Sequence, residues 1–270
     1  PVNRQERPQT KVFRRMASTT TAEQTAETGS SRDQREIDGF SAHAASWWDP
    51  TGPFAPLHRL NPTRIRILAD LFAAHFSRPL GGTDPFAGLT LTDIGCGGGL
   101  VTEPFARLGF QVVGLDASPE NIATAQVHSE TSGLSIDYRV GAPEDADVLT
   151  GTFDSVVALE VVEHVSDIAT FVDSLAERVG PNGVLVLSTI NRTLKSMALA
   201  KVAAEYILRW VPAGTHTWSK FVKPSELTHH LRRLGFKVIA IHGMDYDLAT
   251  GDWNRCDDVS VNYVLAAVRA

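Results

Sequence analysis

Asp93-Ile94-Gly95-Cys96-Gly97-Gly98-Gly99 is the stretch that decides how this 270-residue chain folds. It follows directly on the apolar run Leu89–Ile94 and opens onto a helical pattern at Leu100–Leu108. Glycines at such a junction permit a tight turn and let a ligand approach backbone N–H groups with no Cβ in the way. The next apolar run, Gln111–Leu115, leads into Asp116, a carboxylate 21 residues after Gly95, where it can accept hydrogen bonds from a ribose. Strand, glycines, helix, strand and carboxylate in this order fit a nucleoside-containing cofactor.

The same rhythm continues outward. Ile136–Val140, Ser155–Leu159 and Val184–Thr189 read as strands, and Pro119–Ser132 and Ser166–Val179 as helices. Short apolar strands separated by amphipathic helices are βαβ units, hence a parallel sheet covered on both faces. Upstream, Pro62 to Phe76 has a helical stripe of Ile65, Leu68, Ala69, Leu71 and Phe72, with Pro62 at a first-turn position. Downstream come a helix at Pro224–Leu234 and strands at Phe236–His242 and Val261–Val268. With no long helix between them, the last two strands should form an antiparallel hairpin at the sheet edge. The expected fold is α/β and Rossmann-like: a mostly parallel seven-stranded sheet, helices on both faces, and an antiparallel final strand. Residues 192–222 are long for a βα connection and read as an insertion.

Composition narrows the function classes. A chain 43% hydrophobic and 21% charged can bury one substantial core, and no uninterrupted apolar run reaches transmembrane length. Two cysteines, Cys96 and Cys256, cannot build a disulfide scaffold and fit a reducing compartment. A net charge of −6 disfavours generic nucleic-acid binding. Residues 1–15 carry five cations against Glu6, and read either as an extension upstream of Met16-Ala17-Ser18 or as the basic start of an organelle leader, the first being favoured. Residues 16–34 lack large apolar side chains. The expected organisation is a disordered extension over 1–35 and one domain over 36–270.

The cofactor alternatives are NAD and S-adenosylmethionine. Counted from Gly95, the dinucleotide fingerprint would need a third glycine where Leu100 stands. Asp93 suits a cofactor bearing an ammonium and a sulfonium better than a pyrophosphate. The glycine loop with Gly114-Leu115-Asp116 resembles the class I S-adenosylmethionine-dependent methyltransferases. Seven further stretches resemble the ubiquinone-biosynthesis O-methyltransferases: Trp47-Trp48-Asp49, Pro56–Arg64, Leu159–Val165, Ser188–Arg192, Ala204–Arg209, Val211–His216 and Asp258–Tyr263. The resemblance runs from about residue 36 to the end.

That resemblance implies O-methylation of a 2-polyprenyl-6-hydroxyphenol (or the polyprenyl-dihydroxybenzoate equivalent) and of 3-demethylubiquinol. Carried onto this sequence, it places cofactor contacts at Arg64, Gly95, Asp116 and Leu159, beside the Asp93 and Gly97 of the loop. It also implies a divalent metal, magnesium foremost, on Glu160, Glu163 and His164. The other reading of those three is helix capping and packing. A phenol titrates near 10, so a base is wanted; His164 is the catalytic candidate, with His58 and His216 as others. Residues 194–211 mix apolar, aromatic and basic side chains, which suits either a lid or a helix lying on anionic lipid. Trp47 and Trp48 are expected as core or pocket walls. The expected location is the bacterial cytoplasm, peripheral to the inner membrane, with the mitochondrial matrix as the alternative, and the expected partners include other ubiquinone-biosynthesis proteins. The rival functions are a methyltransferase for a soluble small molecule and a non-catalytic S-adenosylmethionine-binding scaffold.

Overall fold

A computed structural model describes residues 30–199 and 218–270. Eight strands form its sheet: β1 (Thr90–Ile94), β2 (Gln111–Asp116), β3 (Asp137–Val140), β4 (Phe153–Leu159), β5 (Val179–Ile190), β6 (Phe236–Tyr246), β7 (Trp253–Cys256) and β8 (Asn262–Arg269). They lie in the order β3-β2-β1-β4-β5-β8-β6-β7. The first five are mutually parallel, whereas β8 runs antiparallel to both β5 and β6.

Alternation along the central strands builds a core on each face. Val156, Ala158, Leu185, Leu187, Leu265 and Ala267 point to one side, where Phe171 and Leu175 of α5 (Ile168–Glu177) and Leu227 and Leu231 of α7 (Pro224–Arg233) cover them. Val157, Leu159, Val184, Val186, Val264 and Ala266 point to the other, under Ile67, Leu68 and Phe72 of α2 (Ala55–Phe76) and Phe105 of α3 (Thr102–Arg107). The remaining described α-helices are α1 (Gln34–Ser41), α4 (Pro119–Thr131) and the short α6 (Leu194–Met197).

Three expectations change. Helix α2 begins seven residues before Pro62, which therefore sits inside it. An interior proline forfeits one i→i−4 hydrogen bond; Phe54, Leu57 and Leu60 pack into the core clusters and offset that loss. The final strand is not at the edge but slots between β5 and β6, so it is paired on both sides. The four-residue β7 was not expected; it pairs with β6 alone, from Gly243↔Cys256 to Tyr246↔Trp253. Residues 1–29 and 200–217 lie outside the described residues. With them lie the basic start, most of the membrane-contact candidate and His216.

Because β2 and β3 lie to one side of β1, and β4 and β5 to the other, the connections leaving β1 and β4 part at their carboxyl ends. Open α/β sheets bind ligands in that crevice.

Candidate functional site

The loop after β1 is held from beneath by Leu115, whose carbonyl accepts from the Gly95 and Cys96 N–H groups at 2.7 and 3.0 Å. Gly95 and Gly97 have φ of +71° and +54°, a region that L side chains adopt at a cost. Asp116 fastens the loop from the next strand: Oδ2 accepts from Gly97 N at 2.9 Å, and Oδ1 from Ser118 N and Asn121 Nδ2. Oδ2 thus keeps a lone pair for a further donor. Burial nevertheless raises the Asp116 pKa, against the pull of those hydrogen bonds.

The tandem tryptophans close the loop from outside. Any Cβ on Gly97 or Gly98 would fall inside the Trp47 side chain. Trp47 is fixed by stacking on Phe54 at 3.8 Å and by its Nε1–H donating to Asn121 Oδ1 at 2.8 Å. Trp48 Nε1–H donates to Gly98 O, and its ring stacks on His128 at 3.4 Å. Trp47 is therefore a pocket wall, as expected, and Trp48 anchors the loop.

Arg64 and Asp93 form the floor. Arg64 is 3% exposed, donates to Asn61 Oδ1 at 3.2 Å, and leaves Nε buried without a partner among the described residues. Burial depresses its pKa, while Glu160, Asp93 and Glu163 hold it up. Asp93 accepts from Thr102 Oγ1 at 2.7 Å, and burial pushes it up to about 6 despite Thr102 and Arg64. A buried guanidinium with an idle N–H is a ready partner for a ligand carboxylate.

At the end of β4, Leu159 is buried, and Glu160 takes φ +57°, an uncommon conformation for a residue with a Cβ. The loop then sends each expected metal ligand to its own partner. Glu160 Oε1 accepts from Ser188 Oγ at 2.7 Å, and Glu163 Oε2 from Thr189 Oγ1 at 2.7 Å. His164 Nδ1 lies 3.1 Å from Glu36 Oε2 of α1. Burial, reinforced by the Glu160 charge, pushes Glu163 up to about 7. Among the described residues no group of three or more His, Cys, Asp or Glu is placed to hold a metal ion. This arrangement therefore gives no support to the expected magnesium set of Glu160, Glu163 and His164.

His164 has a raised pKa. Burial alone would lower it, but the Glu36 hydrogen bond and the charges of Glu163, Glu36 and Glu160 outweigh that. Glu36 is in turn pulled down to about 2, by His164 first and, against a burial penalty, by Lys220, whose Nζ lies 2.7 Å away. The other base candidate, His58, points Nε2 at Trp47 O, 2.8 Å away, and does not line the cavity.

One cavity of about 1060 Å³ gathers Gly95, Gly97, Asp116, Leu159, Arg64, Asp93, Glu160, Glu163 and His164. That is the upper end of small-molecule sites, which span roughly 300–1,000 Å³. Glu36 and the stretch from β6 into β7 also line it and were missed. Trp47 lines the cavity as well, the one member of the tandem pair to do so among the described lining residues.

A family model described as a methyltransferase domain matches residues 60–241. The ubiquinone biosynthesis O-methyltransferase of Azorhizobium caulinodans is 46% identical over 86% of this chain and 92% of its own length. That of Paramagnetospirillum magneticum is 48% identical over 87% and 94%. Among solved structures, magnesium protoporphyrin IX methyltransferase from Synechocystis with bound SAH superposes with a TM-score of 0.61 at 21% identity, over 88% of this chain and 98% of that one. An S-adenosylmethionine-dependent methyltransferase from Clostridium acetobutylicum gives 0.59 at 10% identity, over 85% and 97%. The chain belongs to the ubiquinone biosynthesis O-methyltransferases, built on the fold of the S-adenosylmethionine-dependent methyltransferases.

Proposed function

We propose that this enzyme moves the methyl group of S-adenosylmethionine to a phenolic oxygen of a polyprenylated ring, serving both O-methylations of ubiquinone synthesis: that of a 2-polyprenyl-6-hydroxyphenol and that of 3-demethylubiquinol. The observation that carries this reading is the joining, in one cavity, of the glycine cradle with Arg64 and His164.

When bound, the cofactor supplies a sulfonium methyl for in-line displacement and leaves as the thioether. Arg64 binds its carboxylate with the idle Nε–H. Asp116 accepts from the ribose through the spare lone pair of Oδ2, and Leu159 contributes a backbone contact. Gly95 and Gly97 let the ligand lie against the backbone, and Trp47 keeps water from that side. Asp93 presents negative charge to the cationic end. His164, oriented through Nδ1 by Glu36, takes the phenolic proton on Nε2, turning a poor nucleophile into a phenolate as the new O–C bond forms.

Asp93 makes cofactor binding depend on pH. Its carboxyl is protonated in the free protein below about 6 and ionised above it. Affinity for S-adenosylmethionine is therefore expected to fall as pH drops through 6, by at most about tenfold per unit. Asp93→Asn should flatten that dependence in calorimetric titrations.

The polyprenyl substrate brings a membrane role with it. Leu194, Leu199 and Trp218 are exposed on either side of residues 200–217, with Lys195 beside them. No helix among the described residues is long and apolar enough to cross a bilayer. Contact through about 194–211 with anionic lipid would place the enzyme at the cytoplasmic face of a bacterial inner membrane, within reach of other ubiquinone-biosynthesis proteins. Vesicles containing phosphatidylglycerol should sediment the full chain but not a variant lacking 194–211; equal sedimentation of both would contradict the lipid contact. The reaction itself is tested with a short-chain demethylubiquinol analogue: methoxy product is expected, and its absence in the presence of both substrates would sink the proposal.

A further inference from the structure

The cavity extends from the glycine loop to the β6–β7 hairpin, which contributes Met244, Tyr246, Leu248 and Trp253; Leu60 of α2 also lines it and shares a core cluster with Met244 and Trp253. Met244, Tyr246, Leu248 and Trp253 lie beyond the 60–241 span matched by the general methyltransferase model, although the first part of β6 lies within it.

The hairpin is firmly placed. Asn262 Oδ1 accepts from Met244 N at 3.0 Å, and Thr63 Oγ1 of α2 donates to Trp253 O at 2.6 Å. Tyr246 and Trp253 are direct cross-strand partners, with ring centroids 5.5 Å apart. Its apolar lining residues range from Met244 at 2% exposure, through half-buried Tyr246 and Trp253, to Leu248 at 80%, with the exposed Asp245 among them. Leu199, 42% exposed just past α6, lines the same cavity. A ring-only acceptor gains nothing from an apolar path that starts buried and ends at the surface; a linear hydrocarbon chain attached to the ring does.

We propose that the β6–β7 hairpin is the passage for the acceptor's isoprenoid tail, with the Tyr246–Trp253 pair against the units nearest the ring and Leu248 at the exit. This inference rests on the acceptor class proposed above. It makes the hairpin, rather than the glycine loop, the element that selects tailed over tail-less rings.

The test compares a tail-less catechol with the same catechol carrying a short isoprenoid chain, using the full chain and the variants Leu248→Asp and Trp253→Ala. Wild-type kcat/KM should favour the tailed acceptor by roughly tenfold or more. Both variants should lose most of that ratio through KM, while SAH affinity stays at the wild-type value. Calorimetry with the tailed catechol in the presence of SAH should show the same weakening without turnover. Leu248 is a surface residue, so its variant stands even if Trp253→Ala folds poorly. Wild-type indifference to the tail, or variants that keep the preference, would overturn the tail passage. If neither acceptor were methylated, the proposed reaction would fall, and the binding titration would still decide the passage.

Discussion

Gly97→Ala should abolish useful cofactor binding. The position has φ +54°, which costs an L residue about 1–2 kcal/mol. The new Cβ would also fall inside Trp47, which cannot easily retreat because it is stacked on Phe54 and bonded to Asn121. The loop must therefore shift, and with it the Gly97 N–H to Asp116 contact that sets the cradle. A loss in SAH affinity of roughly 100-fold, about 3 kcal/mol, is expected by calorimetry. Gly82→Ala is the matched control. Gly82 is exposed, has open space around it and no positive φ, and does not line the cavity, so SAH affinity there should remain that of the wild type. Equal affinity of the Gly97 variant and wild type would mean that the ligand does not lie on this loop.

The second large effect is expected at His164. His164→Ala should lower kcat by roughly 10²–10⁴-fold, the usual range for loss of a positioned base, while leaving SAH affinity little changed. A base must be unprotonated to act, and Glu36, Glu163 and Glu160 hold the His164 pKa above its ordinary value of 6.5. Wild-type kcat should therefore rise with pH through an apparent pKa above that value. Glu36→Ala removes both a hydrogen bond and a charge, so it should move this limb to lower pH and reduce the plateau. Glu36→Gln keeps an acceptor for Nδ1–H but not the charge; it should shift the limb and restore much of the plateau. An unchanged profile in both Glu36 variants would show that His164 is not the group whose proton controls the rate.

What the sequence discloses about this site depends on how far apart its parts lie along the chain. The glycine loop and Asp116 are readable because a tight turn after a strand needs particular residues in order, within about one βαβ unit. The two faces of the sheet follow from alternation in β4, β5 and β8. Arg64 could be placed only by resemblance; that it is buried beside three carboxylates is a property of packing. The Glu36–His164 pair joins residues 128 apart, and no local pattern announces it. The resemblance grouped Glu160, Glu163 and His164 as a metal set, but their side chains turn to Ser188, Thr189 and Glu36. Pro62 misled for a related reason: a proline reads as a helix start, and tertiary packing of Phe54, Leu57 and Leu60 carries the helix past it. The four residues of β7 are too few to show a period, and they are defined by their pairing with β6.

The central claim is that the methyl carried in the glycine-loop pocket ends on a ring oxygen of a lipid-tailed phenol. The most direct measurement incubates the full chain with S-adenosylmethionine labelled at the methyl carbon and a short-tailed demethylubiquinol, then reads the product by mass spectrometry and carbon NMR. The account predicts a labelled methoxy carbon on the ring, formed together with SAH, and far less of it from the Gly97→Ala variant at the same subsaturating cofactor concentration. Label found on a ring carbon, or SAH formed with no label on the quinol, would contradict it.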